Sequence, residues 1–342
     1  MNPLVVALAC WGHHIDLFRR LGLPSLLAEG NLGWLRRFGP VHLVIFVPEK
    51  DEAEIRAIIE PHAKTFASAR CFLFSDDWLG KYPNHTVMCA LQRQAVERAR
   101  GIGAGLSWLY PDCIYAEGAF ASLGDLDEAR RNGVGAFVSQ GMPILGDSTL
   151  YIDGALPRVT PEAAGLLPRE ALIEALHGAA VGSIVKGFNL EKGPTTRSPW
   201  LTYWERDPGY VIHTFAPNPI ICWPRRQKHL WVAALDGDFL DAFEMDGTVE
   251  PATSFAWLEA RTNAYDEPFA VPPMTEEEIA KWAAGAATPF GLKWFREQLR
   301  PWNSAPNLEA MAFARRVSEM ALTFRADLGW RTDGAAYAPK AA

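Results

Sequence analysis

The chain has no long apolar run, no paired-cysteine motif and no block of basic residues, and each absence closes off a class of protein. No stretch approaches the ~20 apolar residues that a membrane-spanning helix needs, so no transmembrane segment is predicted. Five cysteines (Cys10, Cys71, Cys89, Cys113, Cys222) are scattered without a CxxC pair. An odd number inside apolar stretches predicts buried thiols in a reducing compartment rather than a disulfide framework. The net charge of −7 over 342 residues argues against a nucleic-acid partner, which needs a clustered basic face. It leaves room for a small anionic ligand held by a few arginines. The phosphate loop GxxxxGK followed by Ser or Thr, the HExxH zinc motif and the GxSxG nucleophile elbow are all missing. Met1 leads almost directly into PLVVALAC, which is too short for a signal-peptide core and lacks a basic leader. It reads as a first strand, and the predicted location is cytoplasmic.

The composition is that of an ordinary globular protein, with 49% hydrophobic and 21% charged residues. Its length suits one large or two ordinary domains. PLVVALAC, VHLVIFVP, SARCFLF, LSWLY and GVGAFVSQ read as strands, separated by helical segments at about 16–28, 51–62, 84–101 and 119–132. Pro24 is expected to interrupt the first of these. The alternation predicts an α/β fold, Rossmann-like, with a mostly parallel central sheet and helices on both faces. In the middle of the chain, Thr160-Pro161-Glu162 and Pro168-Arg169-Glu170 read as helix starts. GFNLEKGPTTRSP reads as a polar loop, LTYWERDPGYVIHTF as two strands around an Asp-Pro-Gly turn, and NPIICWP as a further strand. Beyond about Asp246 the chain turns polar and then helical. Thr275 to Glu278 form a capping box. Leu308, Met311, Val317, Met320, Ala321 and Phe324 place an apolar stripe on a last helix. The predicted division is an α/β domain over 1–245 and a mainly helical C-terminal extension over 246–342.

The most informative stretch runs from Asn84 to Leu123. Asn84 can cap a helix whose Val87, Met88, Leu91 and Ala95 recur at helical spacing, with Gln92, Arg93 and Glu97 on the other face. Arg98 and Arg100 sit in its last turn, and Gly101 ends it. GIGAG, from Gly101, superficially matches a dinucleotide loop. It follows a helix and precedes a strand, the reverse of what pyrophosphate binding requires, so it is read as a helix stop. LSWLY has the length of an interior strand, and Pro111, Asp112, Glu117 and Gly118 follow it directly. A carboxylate at the C-terminal end of a central strand lies where open α/β sheets bind ligands, which makes Asp112 the first candidate for chemistry. The plainer reading is that it caps the next helix. Glu117 has the same two readings.

Other candidates are weaker. Asp236-Gly237-Asp238 can share a hard cation, although an Asp-Gly turn accounts for it better. His213 lies on a strand among Tyr210, Val211, Ile212 and Phe215, where a satisfied core histidine is the common case. Trp11 and Gly12, just past the first strand, sit where a backbone approaches a ligand or turns sharply, with His13, His14 and Asp16 beside them. Arg197, Arg206, Arg225 and Arg226 flank the His213 hairpin, with Lys186 and Lys192 near, and a guanidinium fork matches a diphosphate.

The chain order of first strand, Gly12 turn, VHLVIFVP, LSWLYPDCIYAEG and the VIHTFAPNPIICWP hairpin resembles the nucleotide-diphospho-sugar transferase (GT-A type glycosyltransferase) fold over about residues 3–225. The segment from Leu23 to Phe38 and the PDCIYAEGAFASL turn are similar to bacterial members acting in polysaccharide or glycoconjugate assembly. The resemblance implies transfer of a sugar from a nucleotide-diphosphate donor to a hydroxyl acceptor, whether glycan, lipid-linked or small molecule. It implies a divalent cation, Mn or Mg, on Asp112 and His213, and nucleotide contacts from Trp11 and Gly12, while Arg225 is a cofactor-binding candidate by its charge. The start of the Asn84 helix would lie beside the sugar, and Glu117 or Asp147 would serve as a base if the reaction inverts. The family's Asp-x-Asp is here Pro-Asp-Cys, and Cys113 is a poor partner for a hard cation. Three outcomes stay open: Asp112 acts with His213 and Glu117, basic residues replace the metal, or the fold persists as an inactive scaffold. A metal-dependent hydrolase using Asp112, Asp236 and Asp238 is the alternative enzyme.

Overall fold

A computed structural model describes residues 2–139, 142–145, 188–189, 193–194, 200–205, 209–225, 235, 237–244, 248–252, 255, 257–261, 275–297, 300–301 and 308–327. The chain divides into two compact units. The first comprises Met1–Ile184 with Asn218–Glu267, the second Val185–Pro217 with Pro268–Ala342. The hairpin bearing His213 therefore belongs with the C-terminal helices, whereas the sequence reading placed it in the first domain.

The first unit is built on seven strands, β1 (Leu4–Ala9), β2 (Val41–Pro48), β3 (Ser68–Phe74), β4 (Gly105–Trp108), β6 (Ala136–Ser139), β12 (Asn218–Cys222) and β13 (Val249–Pro251). They lie in the order β13-β6-β12-β4-β1-β2-β3. All neighbours are parallel except β12, which runs antiparallel to both β4 and β6. Every residue of β1 is buried, as are all but one of β2. That unbroken apolar pattern belongs to strands covered on both faces, so the expected α/β architecture is the one observed. A second sheet pairs β5 (Cys113–Tyr115) and β7 (Met142–Leu145) on either side of β14 (Trp257–Arg261). The turn that carries Asp112 thus links the two sheets.

Helices fill the crossovers. Between β1 and β2 the chain stays helical from α1 (His14–Leu17) through a widened π turn, Phe18–Gly22, into α2 (Leu23–Leu27). Pro24 lies in the first turn of α2 and does not break the helix, because the wider turn directly before it spares the usual clash. A second π turn follows at Glu29–Gly33. After β2 comes α3 (Glu52–Ile59), and after β3 come α4 (Asp77–Lys81) and α5 (Asn84–Gly101). Val87, Leu91, Ala95, Val96 and Ala99 form the buried stripe of α5, which packs on β1 and β4. Gln92, expected outside, is buried as well and accepts the Leu235 N–H at 3.1 Å. Pro83, not Asn84, is the N-cap, and the left-handed turn after the helix falls on Gly103 (φ 65°) rather than Gly101. The helix expected over 119–132 is shorter: α6 spans Leu126–Arg131 and is capped by Asp125, whose carboxylate accepts the Glu128 N–H at 2.9 Å. Last in this unit is α7 (Gly237–Glu244).

In the second unit, β10 (Trp200–Glu205) and β11 (Gly209–Thr214) form the expected antiparallel hairpin, joined at its edge by β15 (Arg300–Pro301). A two-stranded ladder pairs β8 (Phe188–Asn189) with β9 (Gly193–Pro194), inside the segment read as loop. The helices are α8 (Glu276–Ala286), α9 (Pro289–Glu297) and α10 (Leu308–Asp327). Ile279, Ala283, Phe295, Ala314, Val317 and Ala321 close their common core. The Thr275 capping box is present, with the Thr275 N–H bonded to Glu278 Oε2 at 2.7 Å and the Glu278 N–H returned to Thr275 Oγ1 at 3.3 Å. Leu308 departs from the predicted stripe and is exposed. The helix starts expected at Thr160 and Pro168 lie outside the described residues.

Candidate functional site

Strand order locates the site. The chain lays β1, β2 and β3 outward in one direction, then returns through α5 to place β4 on the other side of β1. The order reverses between β1 and β4, and crevices at the C-terminal ends of such a pair are where open α/β sheets receive ligands. Two sequence candidates arrive there together: Trp11 and Gly12 after β1, and Asp112 after β4.

Gly12 has φ 56°, a left-handed value suited to glycine, and a Cβ built on it would meet nothing within 4 Å. The backbone at this point is open to an approaching ligand. Its N–H lies 3.3 Å from Asp51 Oδ2, just past β2. Trp11 packs edge-on to Phe74 at 5.9 Å between ring centroids, and Phe74 meets Trp78 at 6.0 Å. Trp11 and Trp78 both stay half-buried, leaving ring surface at the rim. Asp76, past β3, accepts the Lys50 N–H at 3.4 Å. The C-terminal edge therefore carries Asp112, Asp51 and Asp76 after three different parallel strands, with tryptophan faces among them. Asp51 and Asp76 were not singled out from sequence. The signal available was their position directly after VHLVIFVP and SARCFLF.

Cys10, the buried last residue before Trp11, reports this field. Burial pushes its thiol pKa well up, and Asp112, Asp51 and Glu54 push it further. The thiol is neutral and is not a nucleophile. His14 is held down to about 4, first by burial and then by His13, whose ring lies 4.0 Å away, so it is neutral near pH 7.

The Asp112 turn is held from behind by the helical segment between β1 and β2. Asn31 is fully buried; its Nδ2 donates to the Ser25 and Ala116 carbonyls at 2.8 and 3.0 Å, and its Oδ1 accepts the Phe120 N–H at 3.1 Å. Glu117 Oε1 accepts the Gly30 N–H at 2.7 Å. Gly30 is pressed on the Gly118 backbone, and Gly22 on the Pro111 carbonyl, where an added Cβ would come within 2.6 and 2.7 Å. Glu117 thus commits one oxygen to fixing the turn.

Two expected contributors do not fit the roles expected of them. His213 was to share a cation with Asp112, and this is corrected. Its ring is fully buried in the second unit, stacked on Phe295 at 3.4 Å, with Nε2 2.7 Å from the Phe295 carbonyl and 2.9 Å from Ser318 Oγ. Loss of solvation holds its pKa down to about 3, so it is a neutral core residue. Arg225 was to meet a diphosphate, and this too is corrected. Because β12 is antiparallel, the residues after Cys222 emerge at the opposite edge of the sheet, where Trp223 packs beside Gly105 at the start of β4. Arg225 is exposed there, its pKa lowered by partial desolvation and by Arg130. Asn84, the first residue of α5, lies on the correct edge and is exposed, with no side-chain cap bond. Gly237 and Asp238 open α7 rather than a free turn. Asp147, Lys186, Lys192, Arg197, Arg206, Arg226 and Asp236 lie outside the described residues.

The reversal of β12 brings its first residue, Asn218, to the site's edge instead. Tyr110 donates its hydroxyl to Asn218 Oδ1 at 3.3 Å. Beyond the single Leu106–Cys222 bridge β4 and β12 part, and a small cavity opens between Ser107–Tyr110, Tyr115 and Asn218–Ile220. Among the described residues, no group of three His, Cys, Asp or Glu side chains is placed to hold a metal ion. No helix of the described residues is long and apolar enough to cross a membrane. Compared with known proteins, the chain matches no family model, and no curated protein is significantly similar to it.

Proposed function

We propose that this chain is a glycosyltransferase that binds a nucleotide-diphosphate sugar at the C-terminal ends of β1 and β4 and transfers the sugar to a hydroxyl acceptor. The observation that carries the reading is the meeting of Gly12, Asp51 and Asp112 at the point where strand order reverses. A nucleoside needs a flat face and acceptors for its ribose hydroxyls. Trp11 supplies the first, and Asp51, at the end of the neighbouring strand, the second. The open backbone at Gly12 admits the chain of phosphates.

Among the described residues no cage of three protein ligands is present, and a single carboxylate suits Mg or Mn. Such ions are commonly held by one or two carboxylates, with substrate phosphates and water completing the shell. Asp112 is the residue that would hold one, and the cation would offset charge on the departing diphosphate. Cys113 is buried and contributes nothing to a hard ion. The chain's own contribution is rigidity. Asn31, Glu117, Gly22 and Gly30 fix the turn so that Asp112 needs no rearrangement when charge develops.

Titration calorimetry with UDP, GDP and their glucose and mannose conjugates, with and without Mn, tests the proposal. One nucleoside diphosphate should bind, and Asp112→Asn and Asp51→Asn should each weaken it about 10–100-fold. Absence of binding by any of them, or indifference to both substitutions, refutes it.

A further inference from the structure

Two residues at the cavity between β4 and β12 carry an unmet hydrogen-bonding demand. Trp108 Nε1 and Ser107 Oγ are both buried with no hydrogen-bond partner among the described residues, and both residues line the cavity. A buried indole N–H ordinarily finds an acceptor, since leaving it bare costs the full desolvation of the donor. Successive strand residues face opposite ways, so the two orphans are separate contacts. Trp108 is the more demanding, because an indole N–H only donates and its ring is pinned by stacking on Phe46 at 6.2 Å.

The cavity wall selects the chemistry. Ser107, Trp108, Leu109, Tyr110, Tyr115 and Asn218 lead its lining, completed by Pro219 and Ile220, with no charged side chain among them. Tyr115 is a neutral phenol, its pKa pushed up by burial above all. An uncompensated phosphate or carboxylate would be disfavoured in such a place. The cavity is small, with room for about one oxygen-bearing group. Tyr110 and Asn218 already pair with each other, which holds the two strands' ends at a fixed separation. Two residues beyond Tyr110, the same turn presents Asp112.

We propose that this cavity seats one hydroxyl group of a neutral hexose, which accepts the Trp108 Nε1 hydrogen bond while its ring lies toward the Asp112 turn. This rests on the reading of that edge as a sugar-transfer site and names the part of the site that recognises the sugar itself. A hydroxyl fits because it accepts from the indole, carries no charge, and brings an apolar C–H body against Leu109 and Ile220.

The test is an NMR titration of the whole chain, following the Trp108 indole N–H resonance, assigned by its loss in Trp108→Phe. The probes are glucose, mannose and galactose with the 2-, 3- and 6-deoxy forms of glucose. A parent hexose should move the resonance, one deoxy form should bind about tenfold more weakly, and Trp108→Phe should abolish that discrimination. Tyr110→Phe, which releases Asn218, is the second variant and should weaken the same hexose. A resonance unmoved by every hexose, or equal affinity for all deoxy forms, overturns the inference and leaves the cavity to a bound water. UDP and GDP are titrated into the same samples. Hexose discrimination without nucleotide binding sustains this inference and refutes the nucleotide-sugar reading, and the converse result does the opposite.

Discussion

Acid should unfold this protein through one ring in the second unit. His213 is fully buried, and its pKa is held down to about 3 by loss of solvation, with only the Phe295 carbonyl pulling the other way. In the unfolded chain the same group titrates near 6.5. Between those values the unfolded chain takes up a proton that the folded chain refuses. The stability tied to the neutral ring is complete above about 6.5 and drains away as the pH falls toward 3. Well inside that window each pH unit is worth about 1.4 kcal/mol, and going from about pH 6.5, where the unfolded ring is half-protonated, to 4.5 removes about 2.3 kcal/mol. That is a large share of the roughly 5–15 kcal/mol that holds a typical domain folded. The measurement is urea unfolding at a series of pH values, followed by tryptophan fluorescence, on wild type and on His213→Gln. Glutamine offers an amide N–H to the Phe295 carbonyl and does not titrate. The variant loses the ring stack and should be weaker at neutral pH, but its stability should fall less steeply on acidification, by about 1 kcal/mol per pH unit. His14, held down to about 4 in the first unit, adds acid sensitivity of the same sign to both proteins and cancels in the comparison. Parallel slopes for the two proteins between pH 6.5 and 4.5 would refute the assignment of His213 as a neutral core group.

The remaining predictions concern the supports of the Asp112 turn and one helix start. Asn31→Ala strands two buried carbonyls and one buried N–H; thermal and urea unfolding should show a loss of about 2–4 kcal/mol. Gly30→Ala drives a Cβ against the Gly118 backbone at 2.6 Å; it should cost about 1–3 kcal/mol and weaken nucleotide binding while Asp112 itself is untouched. Thr275→Ala removes the hydroxyl that accepts the Glu278 N–H, and should lower stability by about 1 kcal/mol with nucleotide binding unchanged.

The strands were legible from their apolar composition, although in β3 only Phe74 is buried. VHLVIFVP and SARCFLF became β2 and β3 with the bounds read from sequence, and PLVVALAC shortened only to Leu4–Ala9. The capping box at Thr275 was legible for the same reason: side chain and backbone interact within one turn. The continuous helix through Pro24 was not, because it depends on a π turn that no local pattern announces. Asn31 was missed on similar grounds. Within LPSLLAEGNLGWLRRF it looks like a loop residue, and only the return of Ala116 and Phe120 from 85 and 89 positions away makes it a core clamp.

Direction is the harder loss, and it explains the two corrected site residues. A run such as NPIICWP declares that it is a strand, but the same six or seven residues pair equally well pointing either way until a neighbour is chosen. Reading it as parallel would deliver Arg225 to the Asp112 edge; lying antiparallel between β4 and β6, it delivers Asn218 there and sends Arg225 to the far side. One reversal therefore puts an amide rather than a cation at that edge of the sheet. It removes the guanidinium that would have met a diphosphate directly and leaves a neutral rim formed by Tyr110 and Asn218. His213 follows from the same ambiguity one step earlier, since its hairpin pairs with β15 and packs under α9 and α10 instead of joining the large sheet. With both removed, the chemistry of the edge rests on carboxylates, aromatic faces and one open glycine. On the proposed reading a bound cation would offset the diphosphate there, so nucleotide affinity should rise with added Mn, and an affinity that ignores Mn would break this chain of reasoning at its first link.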